Sequence, residues 1–360
     1  MPKGAVIGFG QIAGQGKQLF IAMRSASIDV VAACDKDPTA FGSEAPVSKE
    51  SWAGSFPTLA EVQSLPPEIY YDYRQLFKGH PKLNIVCVAT NTSSHAEIVI
   101  AAAKSGAKAI LCEEPMATSL TDAKAIIRAC QDRDVLLTVH HTRRWWLAHQ
   151  EVRNLIQQGK IGELRSIYIS CGGARLGMLG AHWIDFARWI TGDEVYSVTG
   201  WLGKITESEP RGQQFLDYPG EILIVFKSSV KAFIEQGEDI ALTPRYEIVG
   251  TTGRISNTQY AVPTAREDWR IEVLKDPTAS PVRNYMGETE RLELPVSQGI
   301  DWRTQGVQAI RELLEGKTSC DGKDGYKTLE ALVAAHISHG YPVLLPLRDD
   351  KAVQYTLQHA

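Results

Sequence analysis

Ala5-Val6-Ile7-Gly8-Phe9-Gly10-Gln11-Ile12-Ala13 is an apolar run that passes directly into a Gly-x-Gly-x-x-Ala turn. The run reads as a buried strand, and residues 15–25 beyond the turn read as a helix. Such a unit lets backbone approach a pyrophosphate while the helix N-terminus faces its negative charge. In that reading Gly8 makes the tight turn, Gly10 leaves room for phosphate and Ala13 allows close packing of helix on strand. Phe9, Gln11 and Ile12 complete the turn. A second apolar run, Val30-Val31-Ala32-Ala33-Cys34, ends at Asp35. An acid about 20 residues past the turn is placed to receive the ribose hydroxyls of NAD. Its charge repels the 2′-phosphate of NADP, so NAD is the expected cofactor. Asp35 also reads as an ordinary turn acid ahead of Asp37-Pro38.

Working outward, residues 41–67 are rich in Pro, Ser and Gly and read as an insertion, with a short helix at 58–64. Strand and helix then alternate. Strands are expected at 84–90, 109–112 and 135–139, and helices at 94–105, stopped by Gly106, and 120–132. Apolar runs separated by helices imply a parallel sheet covered on both faces. After a helix at 146–158, strand-like runs at 167–170, 221–226, 230–235 and 246–249 dominate, with 253–256 a further candidate. Helices at 181–190, 302–314 and 326–339 are expected to cover one face of that sheet. The fold class is therefore α/β with a doubly wound parallel sheet over 1–140. An α+β domain with an open, mostly antiparallel sheet is expected over 141–350.

With 44% hydrophobic and 22% charged residues, the 360-residue chain has the makeup of a globular enzyme large enough for two domains. A formal charge of −4 without a basic stripe argues against nucleic acid as a partner. The six cysteines include no Cys-x-x-Cys pair, which fits reduced, packed thiols. No apolar stretch approaches the ~20 residues of a membrane span. The first strand begins by about residue 4, so no leader is expected before it and the expected location is the cytoplasm.

Four further segments carry candidate chemistry. Thr90-Asn91-Thr92-Ser93-Ser94-His95 follows a strand end, where open α/β sheets bind ligands; Ser93 or Ser94 also reads as a helix cap. Cys112-Glu113-Glu114-Pro115-Met116-Ala117 leaves another strand end. Adjacent carboxylates there repel, which raises one pKa toward general acid–base use; they also read as solvated loop acids. His141-Thr142-Arg143-Arg144-Trp145 lies at the domain junction, where Arg144 and Trp145 suit a polyhydroxylated or anionic substrate or, equally, an interdomain ion pair. Gly180-Ala181-His182-Trp183-Ile184-Asp185 opens a helix on which His182 and Asp185 share a face, an arrangement suited to acid–base work on a hydroxyl but also a common structural pair. No metal centre is expected from these spacings.

Taken together, these segments resemble the Gfo/Idh/MocA oxidoreductase family, named for glucose–fructose oxidoreductase and inositol dehydrogenase. Gly8 to Ala13 is similar to its cofactor turn, and Ala89 to His95 is similar to its Ala-Thr-Pro-x-x-x-His segment. Cys112 to Ala117 is similar to Cys-Glu-Lys-Pro-Met-Ala, and His182 to Asp185 to Gly-x-His-x-x-Asp, continued by Trp189-Ile190-Thr191-Gly192. Gly340-Tyr341-Pro342-Val343 resembles the last strand of the family. The resemblance implies a Rossmann domain joined to an open-faced sheet domain that often mediates homodimers or homotetramers. It also implies hydride transfer between NAD(P) and a hydroxyl or ketone of a sugar, cyclitol or sugar derivative. Gly8, Phe9, Gly10, Gln11, Ile12, Ala13, Asp35, Thr90, Asn91, His95, Glu113 and Pro115 are the implied cofactor residues, with His182, Glu114 and Asp185 as catalytic candidates.

The departures fall on catalytic positions. The usual lysine of Glu-Lys-Pro is Glu114, the acid usually four residues before the motif histidine is Met178, an asparagine near the double arginine is His140, and the proline after Ala-Thr is Asn91. Reversing a unit charge at about 4 Å is worth several kcal/mol at an effective dielectric of ~20. A carboxylate opposes a developing alkoxide, yet it accepts a proton and favours the cationic oxidised nicotinamide. Two other readings stay open: a non-redox elimination or hydrolysis that uses bound NAD transiently, and a binding protein without activity.

Overall fold

A computed structural model describes residues 1–10, 15–41, 68–173, 175–205, 214–237, 239–240, 244–260, 266–278, 287–294 and 302–359. The insertion expected at 41–67 lies, but for Phe41, outside them.

The N-terminal sheet consists of β1 (Lys3–Ile7), β2 (Asp29–Cys34), β3 (Glu68–Tyr70), β4 (Ile85–Val88), β5 (Ala109–Cys112) and β6 (Leu136–Val139), in the order β3-β2-β1-β4-β5-β6. Every pairing is parallel. Helices α1 (Gln15–Ser25), α2 (Tyr73–Gly79), α3 (Thr92–Lys104) and α4 (Leu120–Gln131) connect the strands. With helices on both faces, β4 is buried along its whole length, which is why it reads as an unbroken apolar run. The order reverses beside β1, so the crevice of this sheet opens at the C-terminal ends of β1 and β4.

After α5 (Leu147–Gln157) the chain builds a nine-stranded sheet. Its strands are β7 (Leu164–Gly172), β8 (Val195–Leu202), β9 (Gly220–Phe226), β10 (Lys231–Gly237), β11 (Arg245–Gly250), β12 (Gly253–Tyr260), β13 (Arg266–Leu274), β14 (Thr289–Leu292) and β15 (Val343–Leu344). All pairings are antiparallel except β7 with β10. Strict alternation of burial along β9 shows one face packed and the other more open. Helices α6 (Ala181–Thr191) and α8 (Gly322–Ile337) pack on this sheet. The short α9 (Asp350–Gln354) follows near the C-terminus.

Two expectations change. Helix α7 (Trp302–Leu314) does not cover the second sheet; it lies on α1 and β5, with Gly306 against Ala22. Its apolar stripe is satisfied equally well by either sheet's layer, so periodicity does not choose between them. Strand β8 was not legible because Gly200 interrupts its pattern. A Cβ there would lie 2.2 Å from the Ala335 carbonyl oxygen, so the glycine admits the α8 backbone directly. All six cysteines are buried and free.

Candidate active site

The glycine turn is built by backbone conformation. Gly8 has φ +86° and Gly10 φ +77°, a region that side chains rarely adopt. A Cβ on Gly8 would sit 2.5 Å from the Ala89 carbonyl, so glycine is what lets the ends of β1 and β4 meet. Gly10 N–H donates to Asp35 Oδ2 at 2.8 Å, and Asp37 N–H donates to Oδ1 at 3.0 Å. Asp35 is thereby fixed at the end of β2 beside the turn. Phe9 is buried between Phe20 and Phe41, at ring separations of 5.7 and 5.0 Å, and so anchors the turn to the core. Gln11, Ile12 and Ala13 lie outside the described residues.

Helix α1 packs closely on the turn at Gly16, where a Cβ would lie 1.8 Å from the Gly8 carbonyl oxygen. Gly16→Ala therefore forces α1 away from the turn. Expected are a loss of about 1–3 kcal/mol of stability and NADH binding weakened by about ten-fold or more. Thermal unfolding and fluorescence titration with NADH check this; unchanged values in both remove the packing argument. Lys17, on the first turn of α1, is a basic group the sequence did not single out. Burial pushes its ammonium pKa down against the pull of Asp35, and it lies 5.8 Å from the Phe9 ring centre.

At the end of β4 the helix begins earlier than expected. Asn91, not Ser93 or Ser94, is the N-cap residue of α3, and Ser94 Oγ instead donates to the Asn91 carbonyl. His95 is 1% exposed, with Nε2 2.8 Å from the Thr90 carbonyl and Nδ1 3.0 Å from that of Pro115. Burial pushes its pKa down, against those two carbonyls and the charges of Glu113 and Glu114. The ring is thus a strut between the ends of β4 and β5, holding Thr90, Asn91 and Pro115 in place.

The paired carboxylates diverge. Glu113 Oε1 meets His140 Nδ1 at 2.8 Å, and Glu114 Oε1 meets His182 Nε2 at 2.8 Å. Mutual repulsion was expected to raise one pKa. For Glu114 the outcome is the opposite: burial pushes its pKa up, but the nearby His182, His141 and His359 bring it below the usual carboxylate value. Glu114, His182 and His141 form one cluster, with His141 and His182 ring centres 6.0 Å apart. Burial moves the His141 pKa down to about 4, so the ring is neutral near pH 7. His141 was read only as part of the junction segment; its place beside Glu114 follows from the adjacency of β5 and β6.

Asp185 and Arg144 do not join this cluster. Arg144 Nε and Nη2 donate to Asp185 at 2.8 and 2.7 Å, while Nη1 donates to Asp324 at 2.9 Å and to the Ser319 carbonyl at 2.5 Å. Burial alone would raise the Asp185 pKa, but Arg144 holds it far below the usual range. Both side chains are buried, and Trp145 is 1% exposed. Arg144 is thus engaged in the junction ion pair that the sequence also allowed, Trp145 packs beside His140, and Asp185 faces Arg144 rather than His182. Asp217, outside every motif, accepts from Gly177 N–H at 2.7 Å and Met178 N–H at 2.9 Å, fixing the turn that leads into His182.

Cofactor turn, Asp35, Thr90 and the Glu114–His182–His141 cluster thus follow the C-terminal edge of the parallel sheet from β2 to β6. Known proteins resemble this chain in sequence and fold. Residues 3–141 match the oxidoreductase family with the NAD-binding Rossmann fold, and residues 170–256 match the GFO/IDH/MocA C-terminal domain. The chain is 31% identical to D-apiose dehydrogenase of Rhizobium rhizogenes, over 53% of this chain and 54% of that protein. It is 28% identical to myo-inositol 2-dehydrogenase of Thermotoga maritima, over 52% and 59%. These matches thus span about half to three fifths of either relative. An oxidoreductase from Agrobacterium radiobacter, solved with NAD+, L-tartaric acid and magnesium, superposes with a TM-score of 0.73 at 24% identity, covering 95% of this chain and 98% of that one. The strand order, the glycine turn and the matches in both halves lead to one conclusion: the chain belongs to the Gfo/Idh/MocA oxidoreductase family, and its N-terminal sheet is an NAD-binding Rossmann fold.

Proposed function

We propose that the protein is an NAD-dependent dehydrogenase of a sugar, cyclitol or sugar derivative. The observation that carries this reading is the buried His182–Glu114 contact of 2.8 Å on the same sheet edge as the cofactor turn. The family's curated sugar and inositol dehydrogenases support the substrate class. Bound NAD would supply the hydride acceptor, and His182, hydrogen-bonded through Nε2 to Glu114, would take the hydroxyl proton at Nδ1. The negative Glu114 stabilises the protonated imidazole and favours the oxidised, cationic nicotinamide. Arg144 and Asp185 hold the junction on which His182 rests, and the nine-stranded sheet offers the surface for a homodimer or homotetramer.

The direct test incubates the purified protein with NAD+ and a panel of sugars and cyclitols, following the near-ultraviolet absorbance of NADH. Turnover on one class is expected. Tight NADH binding with no NADH formed across the panel, and no reduction of the corresponding ketones, overturns the reading.

Asp35 sets the cofactor preference. NADH is expected to bind at least about ten-fold more tightly than NADPH, a difference of ~1.4 kcal/mol, and Asp35→Asn is expected to narrow that ratio. Parallel titrations with the two cofactors check it; tighter NADPH binding by the natural chain refutes the role given to Asp35.

A further inference from the structure

We infer that Glu114, His141 and His182 form a binding site for a divalent transition-metal cation of the zinc class. The three residues come from separate elements: Glu114 follows β5, His141 follows β6 and His182 lies on the first turn of α6. One donor atom from each lies within 4.8 Å of the other two. Metal–nitrogen and metal–oxygen bonds of about 2.0–2.2 Å hold ligand atoms roughly 3.4 Å apart around a tetrahedral ion, so side-chain rotations complete the site.

The donor set points to the class of ion. Two imidazoles and one carboxylate suit zinc and its first-row neighbours, whereas magnesium and calcium prefer oxygen donors throughout. Three protein ligands also leave a coordination position open, the arrangement of catalytic rather than structural zinc sites.

Unmet polar atoms supply a second, independent reason. His141 is 1% exposed, and its Nδ1 has no partner among the described residues; His182 Nδ1 and Glu114 Oε2 are likewise buried without one among them. A buried polar atom left unpaired costs about 1–3 kcal/mol, and here each of the three clustered residues carries one. Arg144, the strong base of the junction, is committed to Asp185 and Asp324. The carboxylate of Glu114 supplies a negative charge beside the two imidazoles, which favours a cation there.

This inference does not depend on the proposed hydride transfer, because binding is read without NAD or sugar. Ion and substrate proton use the same lone pairs, so the metal-loaded and proton-accepting forms alternate. The test strips the full-length protein with a chelator and titrates it with Co2+. Expected are visible d–d absorption that saturates at one ion per chain, displacement by Zn2+, and an anomalous-scattering peak between Glu114, His141 and His182 in crystals grown with Co2+. His141→Gln and Glu114→Gln are each expected to weaken binding by more than the roughly 10–100-fold typical of losing a residue that only supports a ligand. NADH affinity and circular dichroism, measured alongside, confirm that each variant is folded. A titration without saturable absorption, an anomalous peak elsewhere, or unchanged Co2+ affinity in a folded His141→Gln protein overturns the site. The crystallographic arm decides the question even where a variant does not fold.

Discussion

Glu114→Gln is expected to lower dehydrogenase turnover by about 10²–10⁴-fold while leaving NADH affinity unchanged. Gln is isosteric with Glu and keeps a carbonyl oxygen for the 2.8 Å contact to His182. What it loses is the charge. Without that charge the imidazolium formed on accepting the substrate proton lacks its counter-ion in a nearly water-free setting, where Glu114 and His182 side chains are only 8% and 13% exposed. The loss is therefore expected in kcat, with NADH affinity left to the glycine turn assigned to the cofactor. His182→Asn should give a comparable fall, and the double variant should fall no further than the worse single, because the two groups act as a unit. Steady-state kinetics with the substrate found in the panel, alongside NADH titration, provide the check. Full turnover in both single variants removes the pair from the chemistry.

Asp185→Ala is expected to destabilise the protein by about 3–5 kcal/mol, lowering Tm by on the order of 5 °C for a chain of this size. The reason is the stranded partner. Arg144 is buried at 5% exposure, two of its three guanidinium nitrogens lie on Asp185, and Asp324 alone cannot replace them. Arg188, 3.8 Å from the same carboxylate, loses a counter-ion as well. Asp185→Asn keeps the shape and one acceptor and should fall between the natural chain and the alanine variant. Calorimetric unfolding checks the ordering. An unshifted Tm combined with a large fall in kcat returns Asp185 to the catalytic group and refutes its assignment to the junction.

How far the sequence could be read depended on the range of the interaction concerned. Local backbone preferences, hydrophobic period and short motifs act over a few residues, and the features they control were legible. Helix α1 is where the pattern placed it, β5 has the expected ends, and Gly8 and Gly10 have the positive φ that the turn requires. Asp35 lies against the turn although 25 residues separate it from Gly10. Family resemblance extended this reach, since it identified Glu114 and His182 as neighbours in function before their contact was visible.

Tertiary structure decided what depends on partners far away in sequence. Two adjacent glutamates read as a repelling pair, but a loop that directs Glu113 to His140 and Glu114 to His182 turns each into half of a buried contact. His182 and Asp185 share a helix in sequence, yet Arg144 reaches across the junction and claims the acid. Likewise α7 has an amphipathic face that fits either layer, and only packing placed it on α1. The opening turn and its dinucleotide site were thus fixed by local chemistry, because φ angles and the absence of a Cβ are properties of single residues. The Glu114–His182–His141 cluster and the Arg144–Asp185 ion pair were decided by the fold, because such contacts exist only between groups that the fold brings within a few ångströms.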